Sequence, residues 1–221
     1  MAESYFEFLS GGKGCFRQGG LTYYWRLGKL CIRKSKNEDC SGDKWVRTPK
    51  RAVVNDRFLG MRQSAALVRI VFEDLPHWKV AAQTYGAIGQ TSDNYMHTVN
   101  SKYVGKSGNV TNFKHYAVCR GVLPLPPDMA LTCTGKRLKL TWTCTHDDSS
   151  AHGLDRLYVA LIYDNMPDSL LQVEHVEVCR SAECVEFDVD SSPGGKVHVY
   201  PFFGSEDNSA FSNNEYFSME L

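Results

Sequence analysis

The side chains best suited to chemistry in this chain are eight cysteines and seven histidines, and their spacing sets what they can do. The cysteines stand at positions 15, 31, 40, 119, 133, 144, 179 and 184. None forms a CxxC pair and no histidine pair completes a zinc pattern, so no structural metal is expected. His115 and Cys119 are four residues apart. On a strand that spacing puts them on one face but about 13 Å from each other, too far for proton transfer. His146, Asp147, Asp148 and His152 read as a polar strand connection able to chelate a cation only weakly. Asn100–Ser107 approaches a phosphate-binding loop, but Asn100 replaces its first glycine. A helix is expected before it where the motif needs a strand, and Gly108-Asn109 follows where it needs a helix. Gly11-Gly12-Lys13-Gly14 reads as a turn. No GxSxG or HExxH occurs, and no carboxylate pair sits in an apolar context that would raise a pKa. Asn109-Val110-Thr111 is a glycosylation sequon, relevant only on a secretory route. The expectation is a protein without catalytic residues, cofactor or small-molecule ligand. An enzyme would need a cleft between domains that spacing does not reveal.

One thiol pair is placed together by register. With Arg180–Glu183 as a four-residue hairpin loop, Cys179 faces Cys184, Val178 faces Val185 and Val176 faces Phe187. The four apolar residues then share one face, and the cysteines share the other with Glu177 and Glu186. Cys179–Cys184 is thus a candidate disulfide that would stabilise the hairpin modestly. Reduced thiols are the default without an export signal. The opening MAESYFEFLSGGKGCF has no basic region followed by an apolar stretch, so no signal peptide is expected. The location expected by default is cytoplasmic, with incorporation into a larger assembly open.

The net charge is zero by cancellation. Residues 1–122 carry 19 Lys/Arg against 9 Asp/Glu, and residues 123–221 carry 6 against 16. Such asymmetry speaks about partners rather than fold. The densest basic stretch holds Arg26, Lys29, Arg33, Lys34, Lys36, Lys44, Arg47, Lys50 and Arg51, just after Tyr23, Tyr24 and Trp25. These are the candidate residues for an anionic partner, either nucleic acid or the acidic half of another molecule, including a second copy of the chain.

The elements that position these residues follow from composition and period. With 43% apolar and 23% charged residues the chain is globular. No stretch is long and apolar enough to span a membrane as a helix, and no membrane partner is expected. The Pro-rich run 123–128 marks an expected linker, because consecutive prolines hold the chain extended and the charge changes sign there. Before it, residues 1–122 read as a basic α+β domain. Leu21–Trp25 and Leu30–Arg33 form a hairpin, and Thr48-Pro49 opens a helix of about 22 residues. That helix should face inward through Val54, Phe58, Met61, Ala65, Val68 and Phe72. A shorter helix runs over 92–103 with Met96, Val99 and Tyr103 inward, and a strand over 113–122 leads into the linker. After it, residues 129–221 read as an acidic, all-β antiparallel sandwich. Strands are expected at 130–133, 138–144, 157–163, 173–179, 184–190, 196–203 and 215–221, about seven with no helical stripe between them.

Leu123-Pro-Leu-Pro-Pro-Asp, Leu138-Lys-Leu-Thr-Trp142, Val197-His-Val-Tyr-Pro-Phe-Phe and Ser212-Asn-Asn-Glu-Tyr-Phe217 resemble a fibronectin type III or immunoglobulin-like domain. That resemblance implies a core plugged by Trp142. Nearly the whole chain resembles a family of uncharacterised Bacteroidetes proteins of two-part build. The features carrying it are the hairpin Gly12…Tyr24-Trp25…Arg33, the helix start Arg47-Thr48-Pro49…Asn55-Asp56-Arg57-Phe58, the segment Arg120-Gly-Val-Leu-Pro124, and the tail Phe203-Gly-Ser-Glu-Asp207 with Ser212-Asn213…Tyr216. The helix start departs from the family pattern by a missing Gln and an altered Asn-Pro order. The resemblance implies fold and no activity. The functional expectation is a non-enzymatic structural or binding protein acting through protein–protein contacts, with nucleic-acid binding as the alternative.

Overall fold

The computed structural model describes residues 15–26, 29–34, 49–73, 75–144, 151–173, 178–190 and 195–221. The chain divides into two compact units, Met1–Thr48 and Pro49–Leu221. In the first, strands β1 (Cys15–Gln18), β2 (Leu21–Arg26) and β3 (Lys29–Lys34) form an antiparallel meander. Gly19 and Gly20, with φ of +58° and +74°, make the first turn, since two successive left-handed residues match the twist of the flanking strands. The β2–β3 pairing forms the expected hairpin, with Trp25 opposite Leu30, and extends it by one pair, Arg26 opposite Lys29. Residues 27–28 lie outside the described residues.

The second unit begins with helix α1 (Pro49–Val71), followed by α2 (His77–Tyr85) and α3 (Ser92–Asn100). Met61, Ala65 and Val68 of the expected stripe are buried, and Phe72 continues it. Val54 and Phe58 lie on the same stripe yet are 65% and 41% exposed. Helix α3 starts where Thr91 Oγ1 accepts the Asn94 N–H at 3.3 Å, an N-cap.

Among the described residues seven strands follow: β4 (Ala130–Thr134), β5 (Arg137–Thr141), β6 (Arg156–Tyr163), β7 (Met166–Gln172), β8 (Cys184–Asp188), β9 (Lys196–Gly204) and β10 (Phe217–Glu220). They form two antiparallel sheets, ordered β4-β5-β8 and β10-β9-β6-β7. Leu138, Leu140, Val185 and Phe187 of the first sheet share a core with Leu157, Val159, Leu161, Val197, Val199 and Phe203 of the second. On its other face the four-stranded sheet contributes Ala160, Ile162, Leu170, Tyr200 and Phe202 to a second core. That core is completed by Met61, Ala65, Val68, Phe72, Trp78 and Met96 from the helices. The unit is therefore helices, sheet and sheet in three layers.

This arrangement corrects the expected domain boundary. Residues 49–122 and 129–221 share one apolar core, and the division between compact units falls at Thr48/Pro49. The run 123–128 is a packed strap rather than a linker. The Leu123 N–H donates to the Phe211 carbonyl at 2.9 Å, and the Pro124 carbonyl accepts from Arg180 Nη2 at 2.9 Å.

The local structure also differs from expectation in three places. Residues 113–122 form no strand: a single 3-10 turn over Phe113–His115 leads into a buried extended segment. Side-chain amides satisfy that segment in place of a neighbouring strand. Asn100 holds both the N–H and the carbonyl of Ala117, and Asn214 Oδ1 accepts from Val118 and Cys119. An unexpected strand lies at 166–172, whereas residues 174–177 of the strand expected at 173–179 lie outside the described residues. The 179/184 hairpin is absent, because β8 pairs with β5 while Cys179 bridges Arg156 and the Val178 carbonyl accepts from Leu157. Arg180–Ala182 is a 3-10 turn carrying the chain from one sheet to the other, and Glu183 closes it at φ +60°. The expected face sorting of Cys184–Phe187 holds, but the neighbour strand differs. Val176 and Glu177 lie outside the described residues.

Candidate binding surfaces

The expected site residues fall into both units. In the meander, strand register sorts side chains by face. Arg17, Thr22, Tyr24, Lys29, Cys31 and Arg33 belong to one face, and Phe16, Gln18, Leu21, Tyr23, Trp25, Leu30, Ile32 and Lys34 to the other. Lys29, Arg33 and Lys34 are exposed, and the Arg33 guanidinium lies 5.5 Å from the centre of the Tyr24 ring. Leu30 and Ile32 are 42% and 57% exposed. One face of the meander carries Arg17, Lys29 and Arg33, and the opposite, largely apolar face also holds Lys34. Lys36, Lys44 and Arg47 lie outside the described residues. Lys50 and Arg51 are exposed in the first turn of α1, in the other unit.

Cys179 and Cys184 are free thiols. The turn between them sends their backbones to different strands, which removes the geometric basis for the candidate disulfide. Trp142 is buried, edge-on to Phe203 with ring centres 5.6 Å apart, and its indole N–H donates to the Arg180 carbonyl at 2.7 Å.

Arg180 is the structural residue that sequence reasoning missed. Its side chain is 4% exposed, its Nε donates to Asp155 Oδ2 at 3.1 Å, and its guanidinium lies 4.4 Å from the centre of the Phe203 ring. Arg180 thus ties its turn to Asp155 before β6, to Phe203 of β9 and to the proline strap through its side chain, and to Trp142 through its carbonyl. Its only sequence signal was a charged residue inside an otherwise small turn.

Three groups with shifted pKa values are sealed inside the unit. Burial pushes His77 down to about 4, against the upward pull of the Leu75 and Val118 carbonyls. Burial pushes the Tyr116 phenol up to about 12, with Ser64 Oγ 2.9 Å away. Burial raises the Cys119 thiol well above its ordinary value, which makes it a poor nucleophile. His115 instead stacks on Tyr103 at 5.6 Å, so it forms no pair with Cys119. Among the described residues no three His, Cys, Asp or Glu side chains converge as metal ligands, and no helix is long and apolar enough to cross a membrane. Of the His146 connection, residues 145–150 lie outside the described residues, and the His152 N–H donates to Asp155.

Two concavities open on the second unit. A groove of about 270 Å³ runs between the 114–120 segment and residues 213–216, with Lys114, His115 and Arg120 on its rim. The side-chain oxygens of Asn213 and Asn214 accept the N–H groups of Val118, Cys119 and Gly121 there, so these two amides serve the fold. A notch of about 120 Å³ lies between Phe58, Met61, Arg62 and Ala65 of α1 and Asp93 and His97 of α3. Compared with models of known protein families the chain matches none, and it matches none of the curated proteins.

Proposed function

We propose that this protein is a non-enzymatic binding or structural protein that works through protein–protein contacts. The observation that carries this reading is the distribution of charge within one packed unit. Residues 49–122, which supply the helical layer, hold 10 Lys/Arg against 4 Asp/Glu, whereas residues 123–221 hold 6 against 16. The two layers meet through apolar side chains. Among the described residues the ion pairs Arg69–Asp93, Arg137–Asp188, Lys139–Glu186 and Arg180–Asp155 each stay within the helical layer or within the sandwich. Among the ion pairs of the described residues none joins the helices to the sandwich, and charge left for partners governs encounter and specificity.

Seven antiparallel strands split four and three, with a tryptophan buried between the sheets, support a fibronectin III-like reading within the immunoglobulin class. Motif residues shared with the two-part Bacteroidetes family serve the fold here. Ser212 Oγ accepts the Phe203 N–H at 2.8 Å, Asn213 accepts from Gly121, and Tyr216 stacks on His198. That supports a family signature of architecture rather than chemistry.

Light scattering on the full chain across a concentration series, at low salt and at about 0.5 M salt, tests the reading. Association that disappears at high salt is expected. A monomer at every concentration and salt would remove charge-driven self-assembly and leave contacts with other proteins to carry the reading.

A second reading, nucleic-acid binding, is favoured by the placement of Arg17, Lys29, Arg33 and Tyr24 on one face of the meander. It predicts a mobility shift with single-stranded DNA or RNA that falls steeply with salt and weakens in Arg33→Ala. No shift at low salt removes it.

A further inference from the structure

We infer that the N-terminal half of α1 is a docking site for an acidic, apolar-anchored segment of a partner protein. This inference rests on the protein-binding reading above and names the surface and the partner's chemistry. Three observations carry it.

The first is the overhang. The buried stripe of α1 begins at Gly60–Met61, yet Val54 and Phe58 continue it at i−7 and i−3 from Met61, with Val53 beside them. Val53, Val54 and Phe58 are 39%, 65% and 41% exposed, whereas Met61 one turn later is 1% exposed, so this apolar face lacks the burial of the rest of the stripe. The second is the notch, which extends this face. Phe58, Met61 and Ala65 form its floor, and His97 lies against Phe58 at 5.6 Å between ring centres. An apolar stripe running into a notch is what a helix-in-groove contact needs on the receiving side.

The third is charge set against local stability. The first turn of α1 contains Lys50 and Arg51 and no acidic residue, the reverse of what a helix dipole favours. Lys50 and Arg57 share the stripe's face, and Arg62 stands on the notch with its guanidinium 5.8 Å from the Phe58 ring centre. The helix's one carboxylate, Asp56, is turned away from the stripe at 100° per residue. Asp93 of the notch is paired with Arg69 at 2.7 Å. The surface is therefore apolar at its centre and cationic at its margin. Two copies of it would repel each other, so the complementary occupant is an anionic segment with apolar anchors at helical spacing.

Fluorescence anisotropy on the full chain tests this. The probe is a labelled amphipathic peptide of about 16 residues built from Leu and Glu, and its Leu/Lys counterpart is the control. Phosphatidylserine vesicles and a short DNA duplex serve as competitors. The Leu/Glu peptide is expected to bind at low salt, to weaken at about 0.3 M salt, and to weaken at least about tenfold in Val54→Ser/Phe58→Ser. Both substituted residues are exposed, and circular dichroism checks that the variant stays folded. Arg57→Glu is expected to weaken binding several-fold. Failure of the Leu/Glu peptide to bind, equal binding of the Leu/Lys peptide, or full binding by the double variant overturns the proposal. So does vesicle or duplex binding that displaces the peptide and outlasts the double substitution. Salt-sensitive self-association of a chain that fails to bind the Leu/Glu peptide would remove this site while leaving the broader reading in place.

Discussion

In the three-stranded sheet, Leu138, Leu140, Val185 and Phe187 point into the core, while Arg137, Lys139, Glu186 and Asp188 point outward and pair across strands. In the four-stranded sheet, β9 is buried at every position from Val197 to Gly204, and β6 at five successive positions from Val159 to Tyr163. Both sheets come from the same segment of chain, yet one outer face meets water and the other meets three helices. A sheet wetted on one side alternates polar and apolar residues, whereas one covered on both sides runs apolar without a break. The comparison shows why the helical layer belongs to the sandwich: without α1 to α3 the faces of Tyr200, Phe202 and Ile162 would be bare.

The largest effect that would break or sharpen this contrast is at Phe202, which packs against Phe72, His77 and Tyr158. Phe202→Ala should lose about 3–5 kcal/mol in urea unfolding, as a core cavity does. A loss no larger than that of an outward β5 residue would mean that the helices cover the sheet without packing on it. Next comes the pair beneath the strap. Arg180→Met leaves Asp155 buried and unpaired and should cost about 3 kcal/mol, with part recovered when Asp155→Leu is added. No recovery would show that hydrogen bonds to Pro124, rather than charge pairing, hold the strap.

A pH effect of comparable size follows from His77 in the covered face. Its pKa is depressed from 6.5 to about 4 in the folded state, so folding keeps it neutral. The stability tied to it is present above pH 6.5 and is lost as pH falls toward 4, by about 3 kcal/mol in all. Urea midpoints measured across that window should fall, and His77→Phe should flatten the dependence. An unchanged slope would place the acid sensitivity elsewhere. The smallest effect belongs to the wetted face. Lys139→Ala should leave the unfolding midpoint where it is, because the Lys139–Glu186 pair is solvated. A clear shift there would show that the outer face of the three-stranded sheet is not a simple solvated surface.

The same contrast explains what could be read in the sequence. The face of each residue in β5 and β8 was legible from period two. The run Leu157-Tyr-Val-Ala-Leu-Ile-Tyr163 also carried its message, since Tyr158, Ala160 and Ile162 fill the positions where polar residues would stand on a wetted strand. Read as every second residue it gave one core, and read whole it implies two. Strand β7 was hidden because Pro167 and Asp168 are poor strand formers, tolerated here on a sheet edge. The buried segment 116–121 was hidden for another reason: its partners are the side chains of Asn100, Asn213 and Asn214, up to 96 residues away. Face patterns specify burial but not neighbours, which is why the sorting around Cys184 held while its pairing with Cys179 did not. The exposed half of α1 was legible as a stripe, but only the placement of the sheet shows where cover for that stripe ends.

Native-state hydrogen exchange on the full chain measures most directly whether helices and sandwich form one cooperative body. The amides of 61–71 in α1 and 197–203 in β9 should share one opening free energy and one denaturant dependence, that of global unfolding. If the helix amides exchanged through a separate, shallower opening while the β9 amides kept full protection, the shared core would be contradicted.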